Sequence, residues 1–255
     1  MNILNLFKKH NHTIESPVAE ASEAKPEASE AKSEASTSET KTGPQPQSKR
    51  VHNLIVLDES GSMQSIYAPA LSGVNETLQT IRQAQIDHPN QTHFVTLVSF
   101  NTSRYNEIYS DTPAAEATDI TAKHYQPAAC TPLYDAMGRS MTTLRSKVEE
   151  GDIVLVTVIT DGYENASTEY DGKAIKSLID SLKHCGWVFT YIGANQDVEK
   201  VAESMSIDNH LSFEADDEGT KEMWNKESSS RKRFFSKLDV EPLSSICGNY
   251  FDDPS

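Results

Sequence analysis

Nine consecutive residues, Asp152 to Thr160 (DIVLVTVIT), constrain the fold of this chain more than any other stretch. After the leading aspartate every position is apolar or threonine, most are β-branched, and Asp161-Gly162 comes directly after them. The run does not alternate, so neither face is solvent-facing, which suits a strand of a parallel sheet covered on both sides. The same reading applies to LIVLD (54–58), HFVTLVSF (93–100) and WVFTYIG (187–193), with HLSF (210–213) as a short last strand. RYNEIY (104–109) is placed to pair with 93–100 as an edge hairpin strand across Asn101-Thr102-Ser103.

Between the strands the period changes. Tyr67, Leu71, Val74, Leu78 and Ile81 recur at steps of four and three, the stripe of one helix face, and Asp87-His88-Pro89-Asn90 ends it. Leu133, Met137, Met141, Leu144 and Val148 form a second stripe, with Thr131 before Pro132 as its start and the proline at the first helical position. Ile175, Leu178, Ile179 and Leu182 mark a third helix, Gln196 to Met205 a fourth, and Asp216 to Leu238 a closing one. In that closing helix Arg231-Lys232-Arg233 reads as its cationic end and Phe234-Phe235 as core-facing. Strands alternating with helices predict an α/β, doubly wound, mostly parallel sheet with helices on both faces.

Composition sets the limits of this folded part. Of 255 residues, the first 50 hold seven bases and seven acids, so the entire net charge of -15 belongs to residues 51–255. Residues 19–36 carry the repeat EASEAKP, EASEAKS, EAS, with no large apolar residue that could form a seam, and Pro17 and Pro26 interrupt helix. Residues 1–50 are therefore expected to be a disordered, low-complexity tail, 51–240 the domain and 241–255 a C-terminal extension. Ile3, Leu4, Leu6 and Phe7, with Lys8 and Lys9 after them, give residues 1–9 a short amphipathic tip. A membrane or partner tether through it is the sharper reading and a plain spacer the better supported one. An acidic body argues against nucleic acid as a partner and against docking on anionic lipid. Cys130, Cys185 and Cys247 lie far apart without a C-x-x-C, which disfavours a zinc site or redox pair and fits a reducing compartment. With no secretory-type leader and no apolar run of ~20 residues, a cytoplasmic location is expected.

Ligands of doubly wound sheets bind beyond the carboxyl ends of the strands. Two of those ends and one helix start bring five oxygen side chains: Asp58, Ser60 and Ser62 in LDESGSM, Thr131 in CTPLYDA and Asp161 in ITDGYEN. Nitrogen and sulfur ligands are missing from the set, so it suits a hard cation, Mg²⁺ or Mn²⁺. Two carboxylates balance a divalent charge, and hydroxyls add donors without further charge. Ordinary strand-end and capping chemistry is the plainer alternative for any one of these residues. Glu59 and Glu164 read as additional surface charge, Cys130 as a small buried packing residue rather than a redox switch, and the eight histidines show no paired ligand spacing.

The D-x-S-x-S run with Thr131 and Asp161 resembles the metal-ion-dependent adhesion site of von Willebrand factor A domains, intracellular and bacterial in type, over roughly Val51 to Leu238. The resemblance implies a six-stranded sheet with one antiparallel edge strand and a surface Mg²⁺. It implies direct metal contact by Ser60, Ser62 and Thr131, contact partly through water for Asp58 and Asp161, and a last ligand from the Asp or Glu of a protein partner. Relatives of this type work beside AAA+ ATPases, chelatases or stress-response clusters. Many intracellular members carry glycines where this chain has Ala128-Ala129-Cys130, which bears on the path of that loop.

The function expected on these grounds is a metal-dependent protein-binding module without catalytic residues. The alternative is a Mg²⁺-dependent hydrolase such as a haloacid-dehalogenase-like phosphatase, which needs D-x-D where this chain has Ser60 in the third position. No G-x-S-x-G elbow or phosphate-binding Gly-Lys-Ser/Thr loop occurs either. A metal-free scaffold is the third reading.

Overall fold

The computed structural model describes residues 48–252, so the expectations for the tail and for its amphipathic tip lie outside the described residues. The elements in chain order are β1 (Lys49–Asp58), α1 (Tyr67–Asp87), β2 (Gln91–Asn101), β3 (Arg104–Pro113), α2 (Leu133–Arg145), β4 (Ile153–Thr160), α3 (Gly172–Lys183), β5 (Trp187–Gly193), α4 (Val198–Ser204), β6 (Asn209–Ser212), α5 (Asp217–Val240) and α6 (Leu243–Ile246). Lys49 and Arg50, read as the last residues of the tail, are the first of β1.

The strands form one six-stranded sheet in the order β3-β2-β1-β4-β5-β6. All neighbours are parallel except β2 and β3, which pair antiparallel as a hairpin. The non-alternating runs follow from burial on both faces. In β4, Ile153, Leu155 and Ile159 join the cluster with α1 and α5, whereas Val154, Val156 and Val158 join the one with α2 and α3. β1 divides the same way, with Ile55 and Leu57 on one side and Leu54 and Val56 on the other.

α1 and α5 cover one face together. Gly73 permits their close approach, because a Cβ there would stand 2.1 Å from the Trp224 ring. Asp171 and Asp216 cap α3 and α5, each accepting a backbone N–H three residues on at 2.8 Å.

α5 corrects one expectation. Arg231 is not part of a solvated cationic helix end but is fully buried, and the helix runs on to Val240. Its guanidinium donates to Glu227 Oε1 at 2.8 Å, Asn53 Oδ1 at 2.9 Å and Thr157 Oγ1 at 2.8 Å. Tyr250 of the C-terminal extension donates to the same Glu227 oxygen at 3.0 Å, which ties that extension to the core. Burial of this charge is possible because the fork finds a carboxylate and two strand residues that complete its hydrogen bonds. Phe234 and Phe235 do face the core.

Candidate metal centre

β1 ends at Asp58 and β4 at Thr160, two adjacent parallel strands, so the loops after them leave the same edge of the sheet side by side. The carboxylate of Asp58 is fully buried. Its Oδ1 accepts the N–H of Ser60 at 2.7 Å and its Oδ2 the hydroxyl of Thr160 at 2.6 Å. Ser60 Oγ and Ser62 Oγ lie 3.1 Å apart, and Ser62 Oγ donates to Asp161 Oδ1 at 2.6 Å. Four of the five residues singled out in the sequence thus form one chain of hydrogen bonds. The fifth, Thr131, is buried too but makes no hydrogen bond to the other four. Its loop reaches the site through the backbone: Gly61 N donates to Ala129 O at 3.0 Å and Ala128 N to Glu59 O at 2.9 Å. Ala129 has a φ of 63°, the left-handed region that favours glycine, at the stretch where intracellular relatives were expected to carry glycines.

Three further expectations change. Glu59 is not surface charge but fully buried; its backbone bonds Phe100 and Ala128, and its side chain accepts the N–H of Gln126. Cys130 is exposed rather than buried. α2 begins at Leu133, with Pro132 at the capping position, so Thr131 sits one residue outside the helix start assigned to it.

Several residues that frame the site carried no signal in the sequence. Asn165 accepts from Thr131 N at 2.9 Å and donates its own N–H to Thr131 O at 3.1 Å. Glu164, read as surface charge, accepts from the backbone of Tyr134, Ala166 and Ser167. Asp135 accepts from the backbone of Thr168, Glu169 and Tyr170. Together they bolt the loop after Asp161 to the start of α2, through contacts about 30 residues apart that local pattern reading does not reach.

The electrostatics fit a cation. Burial pushes the Asp58 carboxyl up to about 6, against the opposing pull of the Thr160 and Ser60 hydrogen bonds. Burial raises Asp161 as well, with Ser62 pulling the other way. Among the described residues no cation is paired with either of these two buried carboxylates, and a divalent ion would supply the compensating charge. Among the described residues no group of three or more His, Cys, Asp and Glu is arranged to hold a metal ion. The donors on offer are thus two carboxylates and hydroxyls, all hard oxygen.

The sequence model of the von Willebrand factor type A domain matches residues 54–226. The chain belongs to the von Willebrand factor type A domain family. Solved structures with this fold include the pilus adhesin SpaC from Lactobacillus rhamnosus GG in an open conformation, at a TM-score of 0.55 and 16% identity over 73% of this chain and 30% of that one. A point mutant of the minor pilin PilB from Streptococcus sanguinis matches at 0.52 and 13% over 79% and 65%. The SpRpn10 VWA domain matches at 0.50 and 10% over 69% and 94%. The present chain therefore spans under a third of SpaC and about two thirds of PilB, and these likenesses concern the fold alone. No curated protein matches the sequence significantly.

Proposed function

We propose that this von Willebrand factor type A domain is a metal-dependent protein-binding module. Asp58, Ser60, Ser62, Thr131 and Asp161 would hold Mg²⁺ or Mn²⁺, and the partner would present an Asp or Glu. The observation that carries the reading is the hydrogen-bonded chain from Asp58 through Ser60 and Ser62 to Asp161, which gathers hard oxygen donors at one strand edge. A bound dication supplies an electrophilic point at which a carboxylate from another chain can complete the coordination shell. The protein's own residues set its strength: Thr160 and Ser60 fix the Asp58 carboxylate, Ser62 fixes Asp161, and Asn165 fixes the backbone of Thr131.

Catalysis is not part of this proposal. Where a phosphatase of the D-x-D type needs its second acid the chain has Ser60. A cytoplasmic setting is proposed on chemical grounds, since all three cysteines are free and two of them exposed. Among the described residues no helix is long and apolar enough to cross a membrane.

Titration with Mn²⁺, read by calorimetry and by water-proton relaxation, tests the metal. One bound ion, displaced by Mg²⁺, is expected. Partner capture from native extract is then compared in Mg²⁺ and in EDTA. No Mn²⁺ binding, or capture that EDTA leaves intact, overturns the reading.

A further inference from the structure

We propose that a pocket walled by Arg104 and Arg139, beside the candidate metal centre, receives a second acidic side chain from the same partner segment whose first carboxylate meets the metal. This rests on the function proposed above and names the chemistry of its partner: a stretch with two spaced acids.

The pocket has a volume of about 440 Å³ and opens between the β2–β3 hairpin, the first turns of α2 and the loop after β4. It is continuous with the centre along the chain at two points. Pro132 and Ala166 line it, and they come directly after Thr131 and Asn165. Thr102, also in its wall, binds Cys130 in both directions, N to O at 3.1 Å and from Cys130 N to its hydroxyl at 3.3 Å.

Its charge runs against that of the chain. Arg104 and Arg139 are its cations, and both side chains are partly exposed. The acid in the wall, Asp135, has both carboxylate oxygens occupied by backbone N–H groups of residues 168–170. Arg104 donates to the carbonyl of His124 at 2.7 Å and stands 3.8 Å from Glu59, and the rest of its fork has no close partner among the described residues. Arg139 lies against the Tyr105 ring and pairs with Glu169, which is half exposed. The pair is a bidentate fork, Nε on Oε2 at 2.8 Å and Nη2 on Oε1, open to solvent, so an incoming carboxylate competes with Glu169 for the same geometry. In a chain of net charge -15 the lining holds two guanidiniums against one carboxylate, Asp135, with Glu169 and Glu59 the acids nearest them, next to a site built for a cation. A segment with one acid meets general repulsion and one attractive point, whereas a segment with two acids finds two.

The test uses the full chain, Mn²⁺ and fluorescein-labelled Gly-Ser peptides that carry either one aspartate or two at graded separations, read by anisotropy. At the best separation the two-aspartate peptide should bind about tenfold tighter than the single one, the scale of a charge-assisted hydrogen bond. Arg104→Gln with Arg139→Gln should abolish that gain and leave single-aspartate binding and Mn²⁺ affinity unchanged. With the wild-type protein, lysine in place of the second aspartate should bind more weakly than the single-aspartate peptide, a readout independent of any variant's folding. Mn²⁺ binding without a gain at any separation, or a gain that survives the double variant, overturns the pocket alone. Absence of Mn²⁺ binding overturns both the pocket and the function on which it rests.

Discussion

The hydroxyl of Ser62 donates to Oδ1 of Asp161 at 2.6 Å across 99 residues of sequence, and this contact closes the β1 loop onto the β4 loop. Asp161 is one of only two carboxylates at the centre. Asp161→Ala should weaken Mn²⁺ binding by about 100-fold or more, beyond the ~10–100-fold typical of losing an outer-shell partner. The metal-free melting temperature should hold or rise, because a buried anion with a raised pKa is removed. Calorimetry and thermal unfolding in EDTA read the two effects separately, and unchanged Mn²⁺ affinity would count against the site.

Thr160 acts through Asp58. Its hydroxyl is buried and donates to Oδ2 at 2.6 Å. Thr160→Val keeps the shape and deletes the donor, so a loss of about 1–3 kcal/mol in stability is expected, with Mn²⁺ affinity lowered about tenfold. Thr160→Ser should restore both. Failure of serine to restore the affinity would show that the hydroxyl is not what matters.

The Arg231–Glu227 pair has no exposure at all. Arg231→Met leaves Glu227 buried without its cation and should cost about 3–5 kcal/mol by urea unfolding. Arg231→Met combined with Glu227→Met should recover a good part of that loss. A single variant as stable as the wild type would show that the pair is not held as described.

His93 gives the fold an acid limit. It is buried on β2 with neither ring nitrogen hydrogen-bonded among the described residues, in a T-shaped contact with Phe235, and burial lowers its pKa to about 4. Between pH 6.5 and 4 the unfolded chain binds a proton that the folded one refuses. Stability from this group is therefore complete above about pH 6.5 and falls as pH drops toward about 4, by on the order of 3 kcal/mol. His93→Leu should flatten the difference between unfolding at neutral pH and at mildly acid pH relative to wild type. Equal slopes for both proteins would rule the histidine out as the cause.

Much of the fold was legible because its pattern is local. Runs such as 152–160 and the stripe Tyr67–Ile81 announce buried strands and amphipathic helices by residue type and period alone. The five candidate ligands were legible for a related reason, since strand ends and a helix start are themselves local. What stayed hidden is what needs three dimensions. Asn165, Asp135 and Glu164 act on backbone about 30 residues away, and polar loop residues carry no period that would reveal it. Glu59 looked like surface charge because an acid in a loop usually is, and only the Gln126 N–H and the neighbouring strand explain its burial. Arg231 misled in the same way, its partners Asn53 and Thr157 being far off in sequence.

The central position of β1 has a consequence for biosynthesis. β1 is the first strand of this sheet to leave the ribosome, yet one of its two neighbours, β4, is complete only at Thr160. Until then a nascent chain can at most assemble β1 with the β2–β3 hairpin, leaving a largely apolar strand with an open edge, the kind of template that pairs with other chains. Completion of the sheet is thus timed by translation of its second half, and the interval between these two strands is where this protein is most exposed to misassembly.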